Sequence, residues 1–242
     1  RYENRFEGLN NGNSLMALIY TMQAMLGFGD DYEDLKQFQQ ISLKGFRRAN
    51  GISSLDDLTK FNPNAKRKYN YPYIESDEYF PDIYTVTMLA YTQSWRTEEN
   101  IKLLGRALNR INAIMKPDNN IAIRIKGKYV APGFALIRPI RAFRTDLITY
   151  RRLLTEIAMM GVGESVDVIR ESAANIKEAI EKDGILRMHL DQPHNKRHSP
   201  LYISYPTAYA DVRLEADYKD KKALLCDLTY WAVEFLHLVR NA

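Results

Sequence analysis

Apolar positions along this chain recur at helical spacing, in pairs of segments that alternate between strongly and weakly apolar. Residues 13–26, NSLMALIYTMQAML, place Leu15, Leu18, Ile19, Met22, Met25 and Leu26 three and four apart. That predicts an apolar helix capped by Asn13 or Ser14. Gly27 and Gly29 end it, because glycine accepts the left-handed backbone that follows a helix. Residues 31–49 predict a more polar helix, with acids in its first turn and Lys44, Arg47 and Arg48 near its end, as the helix dipole favours. The first helix is expected inside the fold and the second facing solvent.

The alternation continues. Residues 51–79 read as a long connector rich in Asn, Pro, Lys and Tyr. Pro81 and Asp82 open a second inner helix, DIYTVTMLAYTQ, and Thr97 starts its outer partner with Glu98 and Glu99 in the first turn. IAIRIKGKYV, residues 121–130, alternates around Lys126-Gly127-Lys128 and predicts a small β-hairpin. Thr145-Asp146 leads into a third inner helix, and its outer partner covers 164–181. After Asp183-Gly184 come an extended piece, ILRMHL, and a polar loop, DQPHNKRHSP. Residues 206–216 and 219–238 make a fourth pair.

The expected fold is therefore all-α: four helical hairpins at about 13–50, 81–117, 145–182 and 206–239, in one domain spanning 1–242. A lone hairpin cannot bury its apolar stripe, so the pairs are expected to stack. Such stacks close into an (α/α) toroid or stay open as a toroid-like array, here with small β-hairpin loops. Inner helices would line a concave face, and the connecting segments would gather at one rim.

One stretch is written twice. Met25–Ile52 and Met159–Ile185 share a Met-x-Gly-x-Gly-acid opening and a polar-Gly-Ile close. An apolar helix, then Leu26-Gly27-Phe28-Gly29-Asp30, then an outer helix closing on Asn50-Gly51-Ile52, resembles the repeat of the terpenoid cyclase and protein prenyltransferase α/α-toroid superfamily. Met160-Gly161-Val162-Gly163-Glu164 with Asp183-Gly184-Ile185 matches the same pattern. The resemblance implies a toroid fold and a prenyl or terpenoid ligand. The cyclases' Asp-x-Asp-Asp motif and the Gln-Trp repeat ending are both absent here.

Composition narrows the picture only a little. The 242 residues carry 34 Lys and Arg against 30 Asp and Glu, a net charge of +4 that allows an anionic partner without requiring one. No apolar run is long enough for a membrane span. The lone cysteine, Cys226, rules out an internal disulfide and, within KKALLCDLTYWAVEFL, reads as a buried small hydrophobe. The chain opens RYENRFEGLNN, which reads as a fragment or processed form, with the cytoplasm as the default compartment.

Chemistry-bearing residues cluster in four places. Asp30-Asp31-Tyr32-Glu33-Asp34 spells DDxxD, whose ends share a helix face and suit Mg²⁺, although acids in a first turn need no metal. His189, His194 and His198 fall in one basic loop with Asp191, better suited to anion or substrate contact than to a metal, so no metal or other cofactor is assigned. Arg138, Arg141, Arg144, Asp146, Tyr150 and Arg151 form the densest cationic run, and Arg grips carboxylate or phosphate with two bonds. Sixteen tyrosines, among them Tyr84, Tyr205 and Tyr209, lie on loops or inner-helix starts. Tyr150 and His194 are the acid–base candidates, with Arg141, Arg144, Asp146, Tyr84, Tyr205 and Tyr209 as substrate contacts. Motifs for nucleotide binding and serine or zinc hydrolysis are missing, and AKRKYNY at 65–71 is not a recognised nucleic-acid module. Two functions are thus expected: binding or processing an anionic small molecule or oligosaccharide in a Tyr/Arg-rich cavity, or holding a protein partner as a non-catalytic scaffold.

Overall fold

The computed structural model describes residues 19, 22–28, 33–62, 72–75, 79–125, 127–130, 135–146, 151–189 and 221–240. Helices dominate them, as the periodicity predicts, and the chain divides into two units, Arg1–Ile140 and Arg141–Ala242.

In the first unit, α1 (Glu33–Gly51) buries Leu35, Gln39, Ser42, Leu43, Phe46 and Ala49, which recur at three and four residues. It is followed by α2 (Leu55–Leu58), β1 (Tyr73–Glu75), α3 (Ile83–Tyr91) and α4 (Glu98–Ile114). The buried face of α1 packs chiefly on α4, whose Leu104, Leu108 and Ile111 are fully buried. Each such side chain contributes about 1.5–3 kcal/mol by leaving water. The polar composition of α1 thus describes one of its faces rather than its whole surface.

Helix α3 runs antiparallel to α1. Gln39 donates to Thr92 Oγ1 at 3.1 Å and to Ser94 Oγ at 3.0 Å, both beyond the end of α3. At the other end of α1, Gly45 faces the Phe80–Pro81 backbone and Arg48 donates to the Tyr79 carbonyl, just before α3 begins. A capping box between Asp82 and Thr85 starts α3. The turn into α4 is fixed by the Trp95 indole N–H, shared between the Leu89 and Thr92 carbonyls, and by Asn100 donating to the Trp95 carbonyl. Helix α4 therefore returns parallel to α1.

The hairpin expected at 121–130 is present as β2 (Ala122–Ile125) and β3 (Lys128–Val130), antiparallel across Gly127 at φ +78°. The long connector, however, is more structured than its composition suggests. Its Tyr73–Glu75 pairs in parallel with β2, making a three-stranded sheet of order β1-β2-β3. Three residues are too few to show alternation in a sequence, and β1 is defined by its partner. Helix α2 did have a local signal, a capping box between Ser54 and Asp57.

In the second unit, α5 (Arg151–Ile157) passes into a π-helical turn (Ala158–Val162), followed by α6 (Asp167–Ile180) and α7 (Lys221–Arg240). Phe143 is fully buried, its ring 5.1 Å from that of Trp231, which stacks on Phe235 at 5.5 Å. Gly161 stands at φ +79° and Gly27, its counterpart in the repeat, at φ +84°. In both places the chain is helical again by the sixth residue, at Glu33 and Asp167. The closing glycines differ: Gly184 is left-handed at φ +74°, whereas Gly51 is still within α1.

Two expectations are corrected. Cys226 is exposed. The buried apolar residues of α7, Leu228, Trp231, Ala232, Phe235 and Val239, share one face, and at 100° per residue Cys226 falls on the opposite side. The described part of the first helix does not lie inside: Ile19, Met22, Met25 and Leu26 are exposed, Leu26 by 74%. Apolar periodicity marks a face that can be covered but not what covers it. Residues 13–18 and the inner half of the fourth pair, 206–216, lie outside the described residues.

Candidate functional site

The cationic run enters the second unit as extended chain, so its backbone polar groups need partners from elsewhere. Helix α6 supplies two. Ser172 Oγ accepts from the Phe143 N–H at 2.9 Å, and Asn175 Nδ2 donates to the Phe143 carbonyl at 2.8 Å. Two residues on, the Thr145 carbonyl accepts from the His189 N–H at 2.7 Å. That last bond brings the cationic segment and the end of ILRMHL side by side.

The resulting edge holds several residues singled out in the sequence. Arg141, Arg144, Asp146 and His189 are all exposed there. Arg144 grips Asp146 with two bonds, Nε to Oδ1 at 2.9 Å and Nη2 to Oδ2 at 2.6 Å. Hydrogen bonding from Arg144 holds the Asp146 carboxyl below its ordinary range, and the same bond raises the guanidinium. Arg187 pairs with Asp183 at 2.7 Å in the strand of chain leading to His189. The edge thus offers guanidinium groups already oriented for a planar, two-oxygen anion, each balanced by an exposed carboxylate that a ligand would displace.

Tyr84 stands in the other unit, half-buried in the first turn of α3. Burial, reinforced by the charge of Asp82, raises its phenol above the ordinary value. Tyr150, His194, His198, Tyr205 and Tyr209 lie outside the described residues, as do Asp30 and Asp31 of the DDxxD segment.

A buried charged cluster went unrecognised in the sequence. Arg151, counted there with the cationic run, is buried instead and faces Asp227 of α7 at 3.8 Å. Its guanidinium lies 5.5 Å from the centre of the Trp231 ring. One turn along α5, Arg152 Nε donates to Glu156 Oε1 at 2.7 Å, and Glu156 is almost wholly buried. Between them the Trp231 indole donates to Thr155 Oγ1 at 2.9 Å. The four-residue spacing of Arg152 and Glu156 was the available signal. For Arg151 and Asp227, 76 positions apart, the sequence carried none. The cluster fixes α5 against α7 and has no exposed acid or base.

Among the described residues, no group of three or more His, Cys, Asp or Glu is arranged to hold a metal ion. No described helix is long and apolar enough to cross a membrane. Comparison of the chain with family models, curated proteins and solved structures finds no match.

Proposed function

We propose that the protein binds a ligand bearing carboxylate or phosphate groups at the edge where Arg141–Asp146 lies against Ile185–His189. The hydrogen bond from His189 to Thr145 carries this reading, because it draws Arg141, Arg144, Asp146 and His189 into one place. From that place the chain reaches Tyr150 four residues after Asp146 and His194 five after His189. Tyr150 and His194 are the acid–base pair of this reading and Tyr205 and Tyr209 its stacking surfaces. An acidic oligosaccharide suits the exposed guanidinium and imidazole groups, while a prenyl diphosphate follows from the toroid resemblance. A toroid-like array is the architecture proposed with it. The matched left-handed glycines and the antiparallel α1–α3 pairing support that.

The test is thermal stability and calorimetric titration with oligogalacturonate and with a prenyl diphosphate plus Mg²⁺. A ligand at 100 times its Kd should stabilise the native state by about 2.7 kcal/mol. Arg141→Gln/Arg144→Gln should then weaken binding at least about tenfold, the loss of one charge-assisted contact. If neither ligand binds, or binding survives the double substitution unchanged, the reading is wrong. The scaffold alternative has its own support in exposed Met22, Leu26, Phe28, Tyr230 and Val233, apolar groups of the kind that protein partners cover.

A further inference from the structure

A carboxylate and a diphosphate both fit the edge at Arg144 by shape, because a guanidinium accepts either through two parallel bonds. Shape alone therefore does not choose between them. The groups around Arg144 do.

Arg144 is mounted on backbone that is fixed on both sides. Phe143 before it is fully buried, with its N–H held by Ser172 and its carbonyl by Asn175 of α6. After it, the Thr145 carbonyl accepts from the His189 N–H. The side chain between these anchors is exposed, and Asp146 grips it at 2.9 and 2.6 Å. Other exposed pairs, such as Lys102 with Glu98 and Arg170 with Asp167, stand three or four residues apart within one helix, where the helix itself brings partners together. Arg144 and Asp146 stand two apart and outside any described helix, so their meeting reflects the fixed course of this segment.

A second carboxylate stands near. Glu171 precedes Ser172 and lies one turn before Asn175, so it shares with them the side of α6 that holds Phe143. It is exposed, and after Asp146 its charge also favours the protonated Arg144 guanidinium. One cation is thus set between two acids.

That setting treats the two anions differently. A carboxylate that takes the place of Asp146 on Arg144 exchanges one negative charge for another. A diphosphate brings more charge to the same seat and is opposed by both acids. A bridging Mg²⁺ would reverse the balance, but among the described residues Asp146 and Glu171 have no third His, Cys, Asp or Glu arranged with them to hold one. Both Asp146 oxygens, moreover, are already engaged by Arg144.

Resting on the reading of this edge as an anion site, we propose that its ligand is a carboxylate, as an acidic oligosaccharide carries, and that Asp146 is the built-in competitor for Arg144. Glu171 is set against phosphate and diphosphate. Selectivity then comes from repulsion as much as from attraction.

Calorimetric titration of the whole chain compares oligogalacturonate, its methyl ester, inorganic pyrophosphate and a prenyl diphosphate, the last two with and without Mg²⁺. Oligogalacturonate should bind at least about fivefold more tightly than either phosphate compound. The ester, which keeps the sugars and loses the charge, should not bind. Asp146→Asn should tighten oligogalacturonate binding by about two- to fivefold, the range of one well-oriented exposed ion pair. Asp146→Asn/Glu171→Gln should narrow the gap between oligogalacturonate and pyrophosphate, because the more highly charged ligand gains more when two acids are removed. Both positions are exposed, and thermal melting of each variant checks its fold. Tighter binding of either phosphate compound, binding of the ester as tight as the acid, or an Asp146→Asn variant that binds no better would overturn this inference. Where Arg141→Gln/Arg144→Gln still weakens binding, the anion edge itself would stand. No binding of any probe would overturn both.

Discussion

Removing Asp227 alone should destabilise the second unit far more than replacing Asp227 and Arg151 together. The two side chains are 11% and 6% exposed, and their closest nitrogen–oxygen distance is 3.8 Å. At that separation, with an effective dielectric of about 20, unit charges attract by about 4 kcal/mol. Desolvation of both ions opposes most of that gain, so the intact pair contributes little more than a well-packed apolar pair would. Asp227→Ala takes away the attraction and leaves the guanidinium buried. The Trp231 face at 5.5 Å offsets only part of this, about 1–2 kcal/mol. A net loss of about 3 kcal/mol is expected for Asp227→Ala, against under about 1 kcal/mol for Arg151→Met/Asp227→Leu. The chain has two tryptophans, Trp95 in the first unit and Trp231 in the second, so fluorotryptophan NMR during urea unfolding reports each unit by its own resonance. The Trp231 midpoint should fall sharply in the single variant and stay near native in the double one. A single variant that loses less than about 1 kcal/mol, or a double variant that loses as much as the single, would refute the reasoning.

Other perturbations are equally specific. Asn112 of α4 accepts from the Ile140 N–H at 2.9 Å and donates to its carbonyl at 3.2 Å, so Asn112→Ala strands two backbone groups and should cost about 2–3 kcal/mol in urea unfolding. Asn112→Asp keeps the acceptor alone and should fall between. Because Arg144 depresses the Asp146 carboxyl, the pairing is fully present above the ordinary carboxylate pKa of 3.8 and is lost as pH falls through the lower folded value. An NMR titration should place the Asp146 midpoint below 3.8 and return it towards that value in Arg144→Gln. Cys226 should react with a thiol reagent in the folded protein at nearly the rate seen in urea; strong protection would mean that its face of α7 is covered.

Repetitive, local chemistry was readable in the sequence. Helix α4 was legible because Thr97 caps it, Glu98 and Glu99 load its first turn, and Leu104, Leu108 and Ile111 hold one stripe. The left-handed turn at Gly27 and the hairpin around Gly127 were legible because few residues other than glycine tolerate those angles. What escaped depends on distant partners. Tyr73–Glu75 pairs with Ala122–Arg124 from the far side of α3 and α4, and Arg151 lies in the core facing Asp227, 76 positions on. Cys226 was misplaced because an apolar neighbourhood in sequence does not say which side of the helix a residue takes. For the candidate edge, the sequence supplied Arg144, Asp146 and His189 separately; the bond from His189 to Thr145 that joins them is a backbone bond and carries no residue signature.

The parallel pairing of β1 with β2 also sets an order of events. Strands β2 and β3 meet across a tight turn and can close within microseconds of collapse. Tyr73 and Ala122, by contrast, are 49 positions apart, and both α3 and α4 lie in the intervening chain. Closing that long loop before the helices have condensed would sacrifice chain entropy with little contact energy in return. The sheet should therefore assemble from its hairpin side, and β1 should join last. In pulsed hydrogen exchange, the Ala122 amide, which bonds to the Pro72 carbonyl, should gain protection only after the amides of α4 have done so. Protection of Ala122 before α4 would reverse the sequence of assembly. As the order stands, the most composite part of the first unit is also the last to become native.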